Sequence, residues 1–254
     1  MSHTITFINE KGGIGKTSCC FNIAWELAKE SKVLLIDMDG QRANLTYFCG
    51  YKMTDDDFTM HHVLLENKPL IAAIKHIKKG LDLIPANYVL SSLTSAAKIS
   101  TMKKALQSIS GDYDYILIDV NPTPNWIHSL ALSCTDYIII PMLPDITSLE
   151  ANMGIIESIS EVRDTTNPNL KVLGILFNKY SERTNLAKQV KEIADQISGK
   201  IDTTLFATTI RNAVSMSENV YDHIGITDYD PKSAVADDIR RLIDEMKARL
   251  SHNG

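Results

Sequence analysis

The sequence predicts an α/β fold, a doubly wound, mostly parallel sheet with helices on both faces. Three observations predict it. Short apolar runs alternate with helix-length amphipathic segments along the chain. The runs are rich in Ile, Val and Leu without polar alternation, as strands covered on both faces must be. The loops after them begin at Asn9, Asp37, Asp119, Pro141 and Asn178, so polar chemistry collects at the carboxyl ends of strands, where such sheets bind ligands.

In chain order, "TITFIN" (4–9) reads as the first strand, and residues 16–30 as a helix. Cys20, Ile23, Ala24, Leu27 and Ala28 form its sheet-facing stripe. "KVLLID" (32–37) is a second buried strand, and residues 57–78 read as helix in two pieces before "LDLIPA" (81–86). Helix 99–110, strand 114–119, helix 125–133 and strand 136–142 follow, then helix 147–163, strand 171–178 and helix 184–198. The last segment, "AVADDIRRLIDEMKARL", is an amphipathic helix with Val235, Ile239, Leu242, Ile243, Met246 and Leu250 on one stripe. No repeat, low-complexity tract or linker interrupts the pattern, so one domain over residues 1–254 is expected.

Composition sets the bounds. The 254 residues are 44% hydrophobic and 22% charged, enough for a large core. A net charge of −5 argues against a uniformly basic nucleic-acid binder, although a local patch is compatible with it. Cys19, Cys20, Cys49 and Cys134 show no C-x-x-C spacing, which suits reduced, buried thiols. The N-terminus lacks a basic-then-apolar signal pattern and no apolar run approaches a membrane span, so a cytoplasmic location is expected.

The first loop carries the most specific signal, "EKGGIGKT". Gly15, Lys16 and Thr17 occupy the last places of the phosphate-loop pattern G-x-x-x-x-G-K-[ST], but Glu10 stands where the first glycine belongs, and Lys11 follows it. Glycine-rich backbone leading into a helix forms a nest of N–H groups for phosphate oxygens. Residues Gly12, Gly13, Ile14, Gly15, Lys16, Thr17 and Ser18 are therefore the candidate phosphate cradle, Lys16 reaching the β- and γ-phosphates and Thr17 ligating Mg²⁺. In "LLIDMDGQ", Asp37 and Asp39 leave a strand end beside that loop. One is placed to orient an attacking water and the other to contact the metal's water shell. In "YDYILIDVNP", Asp119 ends an apolar strand, the second nucleotide-hydrolase signal, and is a candidate Mg²⁺ holder. Asn121 to Pro124 form a candidate γ-phosphate switch. Asn178 either recognises an adenine edge or caps its own loop, and the sequence leaves both open.

"KGGIGKT", "LLIDMDGQ" and "YDYILIDVNP", in this order and spacing, resemble the deviant phosphate-loop ATPases of the ParA/MinD group, a P-loop NTPase family with a deviant Walker A loop. "LDLIPANYVL" and the segment 215–239 resemble ParA-type partition ATPases in particular. The resemblance implies ATP and Mg²⁺ as ligands and a homodimer with ATP sandwiched between its subunits. In that arrangement Lys11 reaches the partner's phosphates and Asp39 activates water. Lys11, Lys16 and Asp39 are thus the catalytic candidates, and Thr17, Asp37 and Asp119 the metal candidates. The chain departs from the family pattern at Gly40 and Asn121, where prolines usually stand, and both positions lie in switch segments.

Within the group, the last helix balances acidic and basic residues on its polar face, unlike a membrane-surface helix, and is expected to pack on its own domain. Bridging cysteines for an iron–sulfur cluster are missing. The reading that remains is a compact ParA-type ATPase that dimerises on ATP, binds DNA without sequence preference while nucleoid-associated, and is switched off by a ParB-like partner. Arg211, Lys232, Arg240, Arg241 and Lys247 are the DNA candidates. Ser215 and Asn212 stand where the family commonly has arginines. The alternative is a MinD-like or cargo-positioning ATPase, a nucleotide-gated scaffold that does not act on DNA.

Overall fold

The computed structural model describes residues 2–42, 44–92, 97–123, 125–181 and 185–253. The chain opens with β1 (His3–Phe7), α1 (Lys16–Leu27), β2 (Val33–Met38), α2 (Asn44–Phe48) and α3 (Met60–Leu65). A 3-10 turn (Leu70–Ala73) leads to β3 (Lys75–Lys78) and β4 (Leu81–Ile84). Next come α4 (Ile99–Gln107), β5 (Tyr115–Val120), α5 (Trp126–Ser133), β6 (Tyr137–Met142), α6 (Ile146–Thr165), β7 (Lys171–Phe177) and α7 (Asn185–Ser198). Three helices close the chain: α8 (Ser215–Tyr221), α9 (Ile226–Tyr229) and α10 (Ala234–Asn253).

Among the described residues, seven strands form one sheet in the order β3-β4-β2-β5-β1-β6-β7. Every neighbouring pair is parallel except β3 against β4. The connection from β5 to β6 crosses β1, so the chain winds away from β1 in both directions. The carboxyl end of β1 is therefore the crevice such sheets offer to ligands. The register brings Asp119 beside both Phe7 and Asp37, so the ends of β1, β2 and β5 lie side by side.

The two cores explain the unbroken apolar runs. Leu34, Ile36, Ile116, Ile118, Ile138 and Ile140 face one cluster with α3 to α7. Val33, Leu35, Leu117 and Ile139 face the other, with α1 and α10. Successive side chains point to opposite faces, so both faces must be apolar. All six stripe residues of α10 are buried in the second core, as the sequence predicts of a helix packing on its own domain. Each such side chain contributes about 1.5–3 kcal/mol by leaving water.

A polar clasp ties the far end of α1 to the C-terminal segment. Trp25 Nε1 donates to Asp228 Oδ2 at 2.8 Å, and the Lys78 ammonium sits 3.8 Å from the Trp25 ring centroid. Gly225 lies against that indole so closely that any Cβ would collide with it.

The sequence misplaces residues 57–78. They form one short helix, a 3-10 turn and an antiparallel edge strand, not a helix in two pieces. Ile71, Ile74 and Ile77 fall at helical spacing, but Ile71 is 72% exposed while Ile74 and Ile77 pack against opposite cores. Gly80, at φ 81°, turns the chain tightly from β3 into β4, and Lys75 reaches back to Asp57 at 2.6 Å. The period is two, not 3.6. The predicted helix 184–198 agrees with α7 except at Thr184, which lies outside the described residues. No helix among the described residues is long and apolar enough to cross a membrane.

Candidate functional site

The loop after β1 is held from several sides. Asn9, fully buried, donates its amide to Pro141 O at 2.8 Å and accepts from Lys11 N at 2.9 Å, which ties the loop to the end of β6. Gly13 (φ 77°) and Gly15 (φ 90°) both adopt the left-handed conformation that favours glycine. Gly15 is the N-cap of α1, so the helix begins with Lys16 and aims its N-terminal N–H groups at the cleft. A Cβ at Gly12 or Gly13 would meet no atom within 4 Å, leaving open space over the loop.

Lys16 is 6% exposed, with Nζ 3.4 Å from Lys11 O. Burial pulls its pKa down, and the carboxylates of Asp119 and Asp39 work against that pull. Asp119 is buried as well and accepts from Thr17 Oγ1 at 2.7 Å through Oδ2. Its Oδ1 has no hydrogen-bond partner among the described residues. Burial first, then the nearby Asp37, raises the Asp119 pKa. A hydroxyl and a carboxylate with an unpartnered buried oxygen, beside an anion nest, form a hard-oxygen set that fits Mg²⁺.

Asp39 lines the cleft, and its Oδ1 accepts from Gln41 N at 3.1 Å and Arg42 N at 3.2 Å. Asp37 has a different task. It is fully buried, with Oδ1 taken by Asp39 N at 3.0 Å and Oδ2 by Thr46 N and Thr46 Oγ1 at 2.8 and 2.7 Å. Burial pushes its pKa up to about 6 despite those donors. These bonds tie Asp37 to α2 and make it orient the Asp39 backbone.

The cleft above these groups has a volume of about 280 Å³. Gly12, Lys16 and Thr17 line one end, and Phe48, Arg211 and Met216 contribute to the remaining wall. Asn178 lines it too, but its amide is committed. Nδ2 donates to Ile14 O at 2.7 Å, and Oδ1 accepts from Lys179 N at 2.9 Å. These bonds fit the loop-cap reading of Asn178, and they also tie it to the phosphate loop.

Lys11 turns out of its own loop. Its ammonium lies 2.7 and 2.8 Å from the two Asp145 carboxylate oxygens, 2.6 Å from Thr147 Oγ1 and 3.2 Å from Ser148 Oγ. Asp145 also caps α6, accepting from Ser148 N at 2.8 Å. Burial raises its pKa, but Lys11 and the Ser148 N–H outweigh burial and hold it at about 2. Glu10, in place of the expected first glycine, leans over α6 at Gly154, where a Cβ would collide with its carboxylate. Burial and the neighbouring Glu157 raise the Glu10 pKa. Asp145 escaped the sequence reading, although an Asp opening a helix at "PDITS" is a recognisable cap signal.

The DNA candidates do not form a free basic patch. Arg211 lines the cleft and binds Asp238 through Nε at 2.6 Å and Nη2 at 2.9 Å, while Arg241 holds the same carboxylate. Arg240 pairs with Asp237 at 2.7 Å and Lys247 with Glu30 at 3.3 Å. Lys232 is exposed. Folding brings α10 behind the segment preceding α8 and pairs the Arg211 guanidinium with Asp238 there, with the Arg211 side chain still 47% exposed. In the candidate switch, Asn121 is buried and its carbonyl oxygen lies 2.6 Å from His128 Nε2, whereas Pro124 lies outside the described residues.

Comparison with known proteins agrees with this geometry. A family model described as "AAA domain" matches residues 2–172. The chain is 32% identical over 249 residues to the chromosome-partitioning ATPase Soj of Thermus thermophilus, covering 97% of this chain and 96% of that one. The solved structure of apo McdA from Cyanothece superimposes with a TM-score of 0.87 at 18% identity, covering 98% of this chain and 100% of the other. Cobyrinic acid a,c-diamide synthase from Mycobacterium smegmatis, with bound ATP analogue and magnesium, gives 0.80 at 26% identity, covering 96% and 93%.

Proposed function

Because this chain belongs to the ParA/MinD-type P-loop ATPases, we propose that it is a partition-type ATP switch whose two copies close on ATP and separate after hydrolysis. One observation carries the reading: Lys11 leaves its own cradle and rests on Asp145 at the protein surface. A cation parked outside its own phosphate site is available to a second subunit's nucleotide.

Lys16 neutralises phosphate charge in the cis subunit, where burial strengthens the interaction. The N–H groups of the loop and of the first turn of α1 bind phosphate oxygens. Asp39 accepts a proton from the attacking water, its carboxylate aimed by Gln41 N and Arg42 N. Thr17 and Asp119 would hold Mg²⁺, which when bound draws charge off the phosphates. Asp37 sets the Asp39 backbone. A ParB-like protein would stimulate turnover, and ATP-bound dimers would bind DNA through two shallow surfaces, weakly and with strong salt dependence.

The acid pairing of Arg211, Arg240, Arg241 and Lys247 favours a second reading, a nucleotide-gated scaffold for protein cargo. Light scattering with ATP, ADP or no nucleotide tests the switch. DNA retardation at low and high salt separates the two readings. A protein that stays monomeric with ATP refutes the switch. Retardation that is the same with ADP refutes ATP-gated DNA binding, and its complete absence at low salt leaves the scaffold.

A further inference from the structure

Three carbonyls of the phosphate loop are each gripped by a side chain. Lys16 Nζ lies 3.4 Å from Lys11 O, Lys179 Nζ 3.4 Å from Gly13 O, and Asn178 Nδ2 2.7 Å from Ile14 O. Two of these donors are adjacent in sequence, and 164 residues separate Asn178 from Ile14. We propose that the Asn178–Lys179 dipeptide is a preorganising clamp, a pair of positioning residues that fixes the phosphate loop in its anion-binding conformation and does not read the nucleotide base. The proposal rests on the nucleotide reading above and deepens it.

Peptide geometry sets what such a clamp can do. In a planar trans peptide, the C=O of one residue and the N–H of the next point in opposite directions. Holding Gly13 O and Ile14 O therefore fixes the directions of the N–H groups of Ile14 and Gly15. Gly15 stands on the wall of the cleft as the N-cap of α1, and Ile14 immediately precedes it. A glycine-rich loop without such anchors samples many conformations, and each would have to be frozen when phosphate binds.

The dipeptide is itself mounted firmly. Asn178 N donates to Met142 O at 2.8 Å and Tyr180 N to Ile210 O at 2.9 Å, so β6 and the segment before α8 hold it on both sides. Between them Lys179 has φ 51°, a left-handed conformation that non-glycine residues adopt at a cost and that clusters at functional sites. Gly15 approaches Asn178 so closely that a Cβ there would strike Nδ2. The loop and the clamp are built to touch.

Base reading is the competing use of this side chain. Asn178 Oδ1 already accepts from Lys179 N and Nδ2 already donates to Ile14 O, so the amide is held against the loop. A clamp acts on the phosphate end of any ligand, whereas a base reader acts on ATP alone.

Calorimetry of the full-length chain with Mg²⁺, using ATP, GTP and tripolyphosphate as separate probes, tests this. Asn178→Ala and Lys179→Met are each expected to weaken ATP and tripolyphosphate by the same factor, ~10-fold for the first, with the ATP-to-GTP preference unchanged. Lys179→Arg, which keeps a cation within reach of Gly13 O, should restore most of the loss. Lys179 is exposed, so Lys179→Met is expected to keep the native melting temperature even if Asn178→Ala folds poorly. The proposal is overturned if ATP weakens while tripolyphosphate does not, if the base preference shifts, or if both variants bind like the wild type. A wild-type protein that binds neither ATP nor tripolyphosphate would overturn the nucleotide reading itself, and the clamp with it.

Discussion

Lys11 and Asp145 form an ion pair at 2.7 Å between the phosphate loop and the N-terminus of α6, 134 residues apart in sequence. In the subunit alone, this carboxylate satisfies the lysine that the switch would lend to a partner. On the proposed switch, the pair and the dimer would compete for one cation. Asp145→Asn keeps an acceptor for the Ser148 N–H but removes the charge. We expect the variant to dimerise at ~2–5-fold lower ATP, the scale of a partly exposed ion pair. Lys11→Ala should keep ATP in the monomer and lose the dimer. Light scattering across an ATP titration checks both, and an unchanged midpoint in Asp145→Asn would rule out the competition.

Asp39 lines the cleft with its carboxylate already oriented by backbone N–H groups. Asp39→Asn preserves an acceptor for Gln41 N but cannot accept a proton from water. Turnover is expected to fall at least ~100-fold while ATP affinity stays within ~3-fold. Phosphate-release kinetics beside equilibrium binding measures the two separately, and a parallel loss of both would assign Asp39 to binding.

A pH dependence follows from Asp57. Burial raises its pKa, but Lys75, the Thr54 N–H and the Tyr51 hydroxyl together lower it to about 2. An unfolded Asp titrates near ~3.9, so the folded value is depressed. The stabilisation is present in full above that unfolded value and is lost as pH falls through about 2. Asp57→Asn should therefore flatten the stability curve of the wild type in this window and cost ~1.5–3 kcal/mol at neutral pH. Urea melts from pH 2 to 7 measure it, and identical slopes below pH 4 would exclude Asp57 as the cause.

Gly225 packs on the Trp25 indole, itself held by Asp228 and Lys78. A methyl group there forces the ring or the backbone aside. Gly225→Ala is expected to cost ~1–3 kcal/mol, read as a lowered melting temperature. A variant as stable as the wild type would mean that the indole yields freely.

Thr17 donates to Asp119 and stands beside that residue's unpartnered buried oxygen. Thr17→Ala should weaken ATP binding ~10-fold in Mg²⁺ and barely at all in a chelator, because only the metal-dependent part loses a ligand. An equal loss in both conditions would point to damage to the loop itself.

The sequence by itself determined six of the seven strands, the order of the loops and the glycine-rich turn that opens α1. Buried strands must be apolar on both faces, and glycine with lysine at fixed offsets is a local requirement that composition cannot disguise. It erred over residues 57–78, where three isoleucines at helical spacing belong to an edge strand and the turn before it, since a period of three or four is ambiguous over so short a run. Only the tertiary structure decided the partners. Asp37 and Asp39 look alike in "LLIDMDGQ", yet Thr46 takes up one while the cleft receives the other. Lys11 meets Asp145, Ile14 meets Asn178 and Arg211 meets Asp238 because strand order brings those segments together. Local sequence sets which chemistry is available. Which carboxylate meets which cation is fixed by packing across the sheet, because charge pairing acts over a few ångströms and distance along the chain does not measure it.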